Sequence, residues 1–203
     1  MYTDPNKNLY PFIDQLVGEA VADVREKGGK ISCQAGCSYC CHLLIEITWE
    51  EAIELALWIK AQPKKEAAEW TRRVKYNANI VKQLFLTHKK GKAFLSPVDE
   101  GGVEIPETLF DEYFDQLNLP CPFLKDDCCA VYAHRPSPCR LHLVSTPAIH
   151  CSNCSDYADK DISTPRKVKS VQVLVGKMMD IAHKDERWGH FGIMVEAALT
   201  SLK

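Results

Sequence analysis

The feature that most constrains this chain is the stretch from Ile31 to His42, ISCQAGCSYCCH, which packs Cys33, Cys37, Cys40 and Cys41 into nine positions. The other cysteines, Cys121, Cys128, Cys129, Cys139, Cys151 and Cys154, follow a long cysteine-free middle. Two such blocks predict one site built from two distant segments. A chain of 203 residues buries enough apolar surface to fold without crosslinks, so ten cysteines call for a chemical explanation. The polar start MYTDPNKN has no secretory pattern, and no uncharged apolar run approaches the ~18 residues of a membrane span. A cytoplasmic location is therefore expected, where closely spaced thiols are metal ligands or redox groups more often than disulfides.

A net charge of −2 offers no field for nucleic acid or for an anionic membrane, and neither is expected as a partner. The basic stretch from Lys64 to Lys92 and the acidic one from Asp99 to Asp115 read as solvated faces.

Apolar periodicity predicts a mainly α fold, a single helical domain over residues 1–203. A first helix is expected from Pro11 to Lys27, with Pro11 in its first turn and Gly28-Gly29 ending it. Leu43 to Ile47 is a brief extended or buried segment, after which Thr48 and Glu51 make a capping box. That helix stops at Gln62-Pro63, and another covers Lys64 to Lys89 with Trp70, Val74, Val81, Leu84 and Phe85 inward. Lys92 to Ile105 reads as a surface connection, and a short amphipathic helix follows from Pro106 to Asn118. The prolines at 122, 136, 138 and 147 rule out a long helix or regular sheet across the second cysteine block. Ser163-Thr164-Pro165 introduces a helix to about Lys184, and a last one runs from Phe191 to Leu202. The whole is a helical domain around an irregular cysteine-rich patch.

Thiolates bind zinc or iron tightly, and four around one centre complete a structural zinc site or hold an iron–sulfur cluster. Cys37, Cys40 and Cys41 stand at i, i+3 and i+4, so a short helix would bring Cys37 near both others. Adjacent Cys40 and Cys41 do not converge easily on one ion, so either one is not a ligand or more than one metal is present. Cys151 and Cys154 have the spacing that one metal spans. Arg135 and Arg140 flank Cys139 and would offset thiolate charge, or would pair with Asp126, Asp127 or Asp156. Tyr132 reads as core or as a hydrogen-bond donor to sulfur, and His42 and His142 as neighbours of the ligands. No phosphate loop, nucleophile elbow or zinc-protease motif is present in the sequence.

CQAGCSYC, from Cys33 to Cys40, resembles the cluster loop of radical S-adenosylmethionine enzymes, in which three cysteines hold a [4Fe–4S] cluster. That reading requires strand–helix repeats downstream, where this chain has helices. CQAGCSYCC with Thr48 to Ala52, then CPFL from Cys121, Cys129-Ala-Val-Tyr132, Arg135-Pro136 and Cys139-Arg140, resembles the zinc- or iron-chelating family named for its CxxCxxCC motif. The same domain is found in the bacterial flagellin lysine N-methylase. Here three residues, not two, separate Cys33 from Cys37. The resemblance implies Cys37, Cys40, Cys41, Cys121, Cys129 and Cys139 as ligands, with Cys33 and Cys151 as additions and Cys128 and Cys154 spare. The cofactor is then zinc or iron, as ions or as a [4Fe–4S] cluster. Three roles stay open: a metal module meeting a protein partner, a cluster-dependent redox or protein-modifying enzyme, and metal storage or delivery.

Overall fold

A computed structural model describes residues 6–88, 91–97, 109, 113, 117–151 and 163–202. The fold is mainly helical, with helices α1 (Asn6–Glu26), α2 (Trp49–Ala61), α3 (Lys64–Thr87), α4 (Ser137–Leu141), α5 (Arg166–Ala182) and α6 (Phe191–Ser201). Two small antiparallel sheets join them. Strand β1 (Glu46–Thr48) pairs with β4 (Trp188–His190), and β2 (Leu124–Lys125) pairs with β3 (Cys128–Cys129).

The helix α1 starts earlier than Pro11. Leu9 and Tyr10 are buried core residues, and the fully buried Asn6 accepts a hydrogen bond from the His183 ring at 2.9 Å. Burial of these side chains outweighs the helical bond lost at Pro11, which has no N–H to give the carbonyl four residues back. Gly28, at φ +76°, then turns the chain out as the glycine pair predicts. At the start of α2, Thr48 N–H donates to Glu51 Oε2 at 3.1 Å, the glutamate half of the expected capping box. The inward stripe of α3 is as expected, with Trp70, Val74, Val81 and Phe85 all buried.

Two cores result. Helices α2, α3 and α6 share one, in which Trp58, Trp70, Phe123 and Phe191 meet edge-on or stacked at 5.7–5.9 Å. The approach of α6 to α3 is close enough that a Cβ on Gly192 would stand 2.1 Å from Asn77 Oδ1. Helices α1 and α5 share the other, an aliphatic core of Ile13, Ala20, Val168, Val171, Val175 and Met179.

The segment after α3 departs from a surface connection, because Gly91–Phe94 forms a 3-10 turn that buries Phe94 against Phe85 at 5.8 Å. Most of the helix expected from Pro106 lies outside the described residues, but Leu109 and Tyr113 are buried and Asn118 has the positive φ of a helix end. Helix α5 ends at Ala182, two residues early, and its N-cap is Pro165 itself. The sheet partner of β1 was not legible, since Trp188-Gly189-His190 carries no alternating pattern. No described helix is long and apolar enough to cross a membrane.

Candidate metal centre

The first cysteine segment enters through a glycine turn. Gly36 takes φ +82°, and Cys37 N–H returns to Gln34 carbonyl at 3.1 Å. The helix that follows is only the 3-10 turn Tyr39–His42, so Cys37 lies before it. This corrects the expectation of one helical face for Cys37, Cys40 and Cys41. A four-residue 3-10 turn contains no i to i+4 pairing. Cys33 is tied to the second segment instead. Ser32 N–H donates to Val144 carbonyl at 3.0 Å, Val144 N–H donates to Cys33 Sγ at 3.3 Å, and Cys33 Sγ lies 3.7 Å from His142 carbonyl.

The second segment joins the first where Cys121 N–H donates to Cys41 carbonyl at 2.7 Å. The hairpin of β2 and β3 turns through Asp126 and Asp127, both at positive φ, a conformation open to aspartate. Alternation along β3 leaves Cys128 exposed and Cys129 half-buried. Cys139 rides on α4, whose Ser137 N–H is accepted by Glu51 Oε1 at 2.6 Å. Cys151 is buried at the end of a 3-10 turn, Ala148–Cys151. Cys154 and Asp156 lie outside the described residues.

Cys33, Cys37, Cys40, Cys41, Cys121, Cys129, Cys139 and Cys151 all line one cavity of about 230 Å³, between the two cores. Among the described residues, no three His, Cys, Asp or Glu side chains already stand in coordinating geometry. The donor set nonetheless fits a soft metal. Its donors are sulfur, and four sulfurs face a backbone N–H: Cys33 that of Val144, Cys40 its own, Cys121 that of Phe123 and Cys129 that of Val131. Such bonds favour the thiolate.

Burial works the other way. Desolvation pushes the Cys121 thiol up to about 12 and the Cys151 thiol up to about 11, and holds Cys139 well above the ordinary thiol range. Cys40 is the exception, drawn down by the hydrogen bond from the Cys41 thiol and by the Arg135 guanidinium. Cys41, as donor, is pushed up. The remaining electrostatic neighbours sort into sets. Cys33 and Cys151 feel Cys37 and Cys40, whereas Cys41, Cys121, Cys129 and Cys139 each feel Cys40 and at least one other sulfur of the second segment.

The arginines are held in place, though not by Asp126 or Asp127. Arg140 is 4% exposed, pairs with Asp14 Oδ2 at 2.5 Å, and donates to the carbonyls of Arg135 and Ala133. Arg135 stacks at 3.6 Å over Tyr132, which is 50% exposed and so is not the core residue expected. His42 Nδ1 stands 3.1 Å from Asn118 carbonyl, while His142 lines the cavity with burial lowering its basicity.

Several residues at this site carried no sequence signal. Asn77, Tyr113 and His190 are buried and line the cavity beyond the sulfurs. His190 Nδ1 accepts from Gly192 N–H at 3.2 Å, and burial lowers its pKa to about 3. Glu51, 1% exposed, also accepts from Tyr10 hydroxyl at 3.4 Å, so one capping residue ties α1, α2 and α4 together.

A family model described as "CxxCxxCC: putative zinc- or iron-chelating domain" matches residues 32–171, more than half of the chain. No curated protein and no solved structure matches it.

Proposed function

This chain belongs to the CxxCxxCC family of zinc- or iron-chelating domains, and we propose that it binds its metal through the eight cavity thiols, so that the α1/α5 core and the α2/α3/α6 core are joined by the metal. The observation that carries this reading is that eight cysteines from two segments eighty residues apart, Cys33 to Cys41 and Cys121 to Cys151, line one cavity between those cores. Cys33, Cys37, Cys40, Cys41, Cys121, Cys129, Cys139 and Cys151 are the proposed ligands, and the exposed Cys128 is spare.

Zinc bound here would supply a structural centre, and iron with sulfide a cluster able to carry electrons. In either case this chain's own residues lower the thiolate cost. The N–H groups of Val144, Phe123 and Val131 face sulfurs, and Arg135 offsets negative charge at Cys40 and Cys129.

A second reading, a cluster-dependent redox or protein-modifying enzyme, is favoured by the cavity extending past the sulfurs to Asn77, Tyr113 and His190. The radical S-adenosylmethionine form of that reading has little support, because the described strands are two or three residues long and antiparallel. The test is metal and acid-labile sulfide content with an absorption spectrum on protein purified without oxygen. Zinc without sulfide, and a loss of folding on chelation, is expected for the joining role. Iron with sulfide and a broad band near ~400 nm moves the assignment to the cluster enzyme. Protein that retains neither metal, and takes up neither, removes the metal reading.

A further inference from the structure

We propose that His142 is a ligand of the metal, its Nε2 entering the centre beside the thiolates and making the donor set one of sulfur and nitrogen. This rests on the metal reading above and goes beyond it by adding a donor that the cysteine motif does not contain.

The first support is an orphaned atom. Nε2 of His142 is buried and has no hydrogen-bond partner among the described residues, and the residue lines the same cavity as the eight sulfurs. A buried ring nitrogen is ordinarily paired. On the wall of a sulfur-lined cavity it is available to a metal, and imidazole is the usual nitrogen donor to zinc and iron.

The second support is position. His142 caps the C-terminus of α4, three residues after Cys139, and residues at that spacing share a face of a helix. Its N–H donates to Pro138 carbonyl at 3.1 Å, and Gln172 of α5 donates to Leu141 carbonyl at 2.9 Å, which holds the last turn of α4 in place. The carbonyl of His142 lies 3.7 Å from Cys33 Sγ, so the imidazole stands on backbone fixed between a sulfur of each segment. His42, next to Cys41 in sequence, instead has Nδ1 3.1 Å from Asn118 carbonyl and serves as the control.

Charge is the third support. Four thiolates around a divalent ion leave two negative charges, whereas three with a neutral imidazole leave one. Ile45, Val131 and Phe191 stand on the cavity wall, and the nearby Arg140 is already paired with Asp14. A neutral donor therefore lowers the charge that has to be buried.

The test loads the full chain with zinc, or with ferrous iron where zinc is refused, without oxygen. X-ray absorption reads the coordination, and circular dichroism confirms folding. Zinc-loaded wild-type protein is expected to show a nitrogen shell at about 2.0–2.1 Å, with the outer scattering of an imidazole ring, beside a sulfur shell at about 2.3 Å. His142→Ala should lose the imidazole signal, and His142→Cys should replace it with sulfur at the wild-type metal content. His42→Ala should keep it. A sulfur-only shell in wild-type protein overturns the assignment, as does an imidazole signal that persists in folded His142→Ala, and either result leaves metal binding intact. If His142→Ala does not fold, His142→Cys, which keeps a ligand at the position, decides by the same criterion. A wild-type chain that takes up neither metal removes the metal reading, and the assignment with it.

Discussion

The two sides of the cavity are held together by different forces. On the α2/α3/α6 side, four aromatic rings and a run of aliphatic residues enclose one another, and their stability depends on apolar area. On the α1/α5 side the core is smaller and aliphatic, and it is linked to the rest by polar bonds. Tyr10 donates to Glu51, Arg140 to Asp14, and the N–H groups of Lys184 and Asp185 both donate to Glu50 Oε1 at 2.9 Å. Apolar contact tolerates small shifts, whereas a buried hydrogen bond is lost with its geometry and leaves its partner unsatisfied. The thiols lie between a self-supporting half and a tethered one.

Phe123→Ala should have the largest effect, because it removes a fully buried ring that touches Trp58, Trp70 and Phe191. A loss of about 3–5 kcal/mol in denaturant unfolding is expected. A loss under about 1 kcal/mol would mean that the aromatic side does not carry the fold.

Glu51→Ala removes the acceptor for Tyr10, Ser137 and Thr48 at once, and should cost about 3 kcal/mol. Hydrogen exchange sharpens the contrast. Amides of α1 and α4 should lose protection in this variant while those of α3 and α6 keep theirs, and uniform loss would erase the distinction between the sides.

The effect that is smallest at neutral pH, where it vanishes, concerns the buried His190 on the aromatic side. His190 is neutral when folded, with its pKa lowered to about 3 from an ordinary 6.5. The unfolded chain therefore binds the extra proton first. Stability from this group is complete above about pH 6.5 and falls by up to roughly 1.4 kcal/mol per pH unit as acid is added toward pH 3. His190→Asn keeps a cap for Gly192 N–H without titrating, so its stability should fall less steeply below pH 6.5. Parallel pH profiles for the two proteins would show that His190 does not titrate as its burial demands.

Most helices were legible because each has one apolar stripe and clear stop signals, as in Thr48 with Glu51 and Gly28 after α1. The start of α1 was obscured by Pro11, since a proline at that position ordinarily marks a beginning, and only the burial of Asn6 and Tyr10 extends the helix past it. The cysteines announced a metal site from their types and spacing. Their arrangement did not follow from spacing, because it depends on the Gly36 turn, on the unforeseen hairpin at Asp126-Asp127 and on long-range bonds such as Cys121 to Cys41. Asn77 and His190 were silent for a different reason. Asn77 is a single polar residue on the buried face of α3 and His190 one at the end of a short strand, and only the crossing of α6 over α3 brings them to the cavity.

The bond from Cys121 N–H to Cys41 carbonyl has a consequence in time. Eighty residues separate the two positions (121 − 41), and at ribosomal speed roughly 4–16 s pass between the synthesis of one and the other. Through that interval the four thiols of the first segment have no second wall. On the proposed eight-thiol ligand set, any ion captured then lacks its ligands from the second segment, and any oxidant meets neighbouring sulfurs at Cys40 and Cys41. With that ligand set, durable loading waits until Cys151 has been made, which makes the proposed centre a late event in the life of the nascent chain.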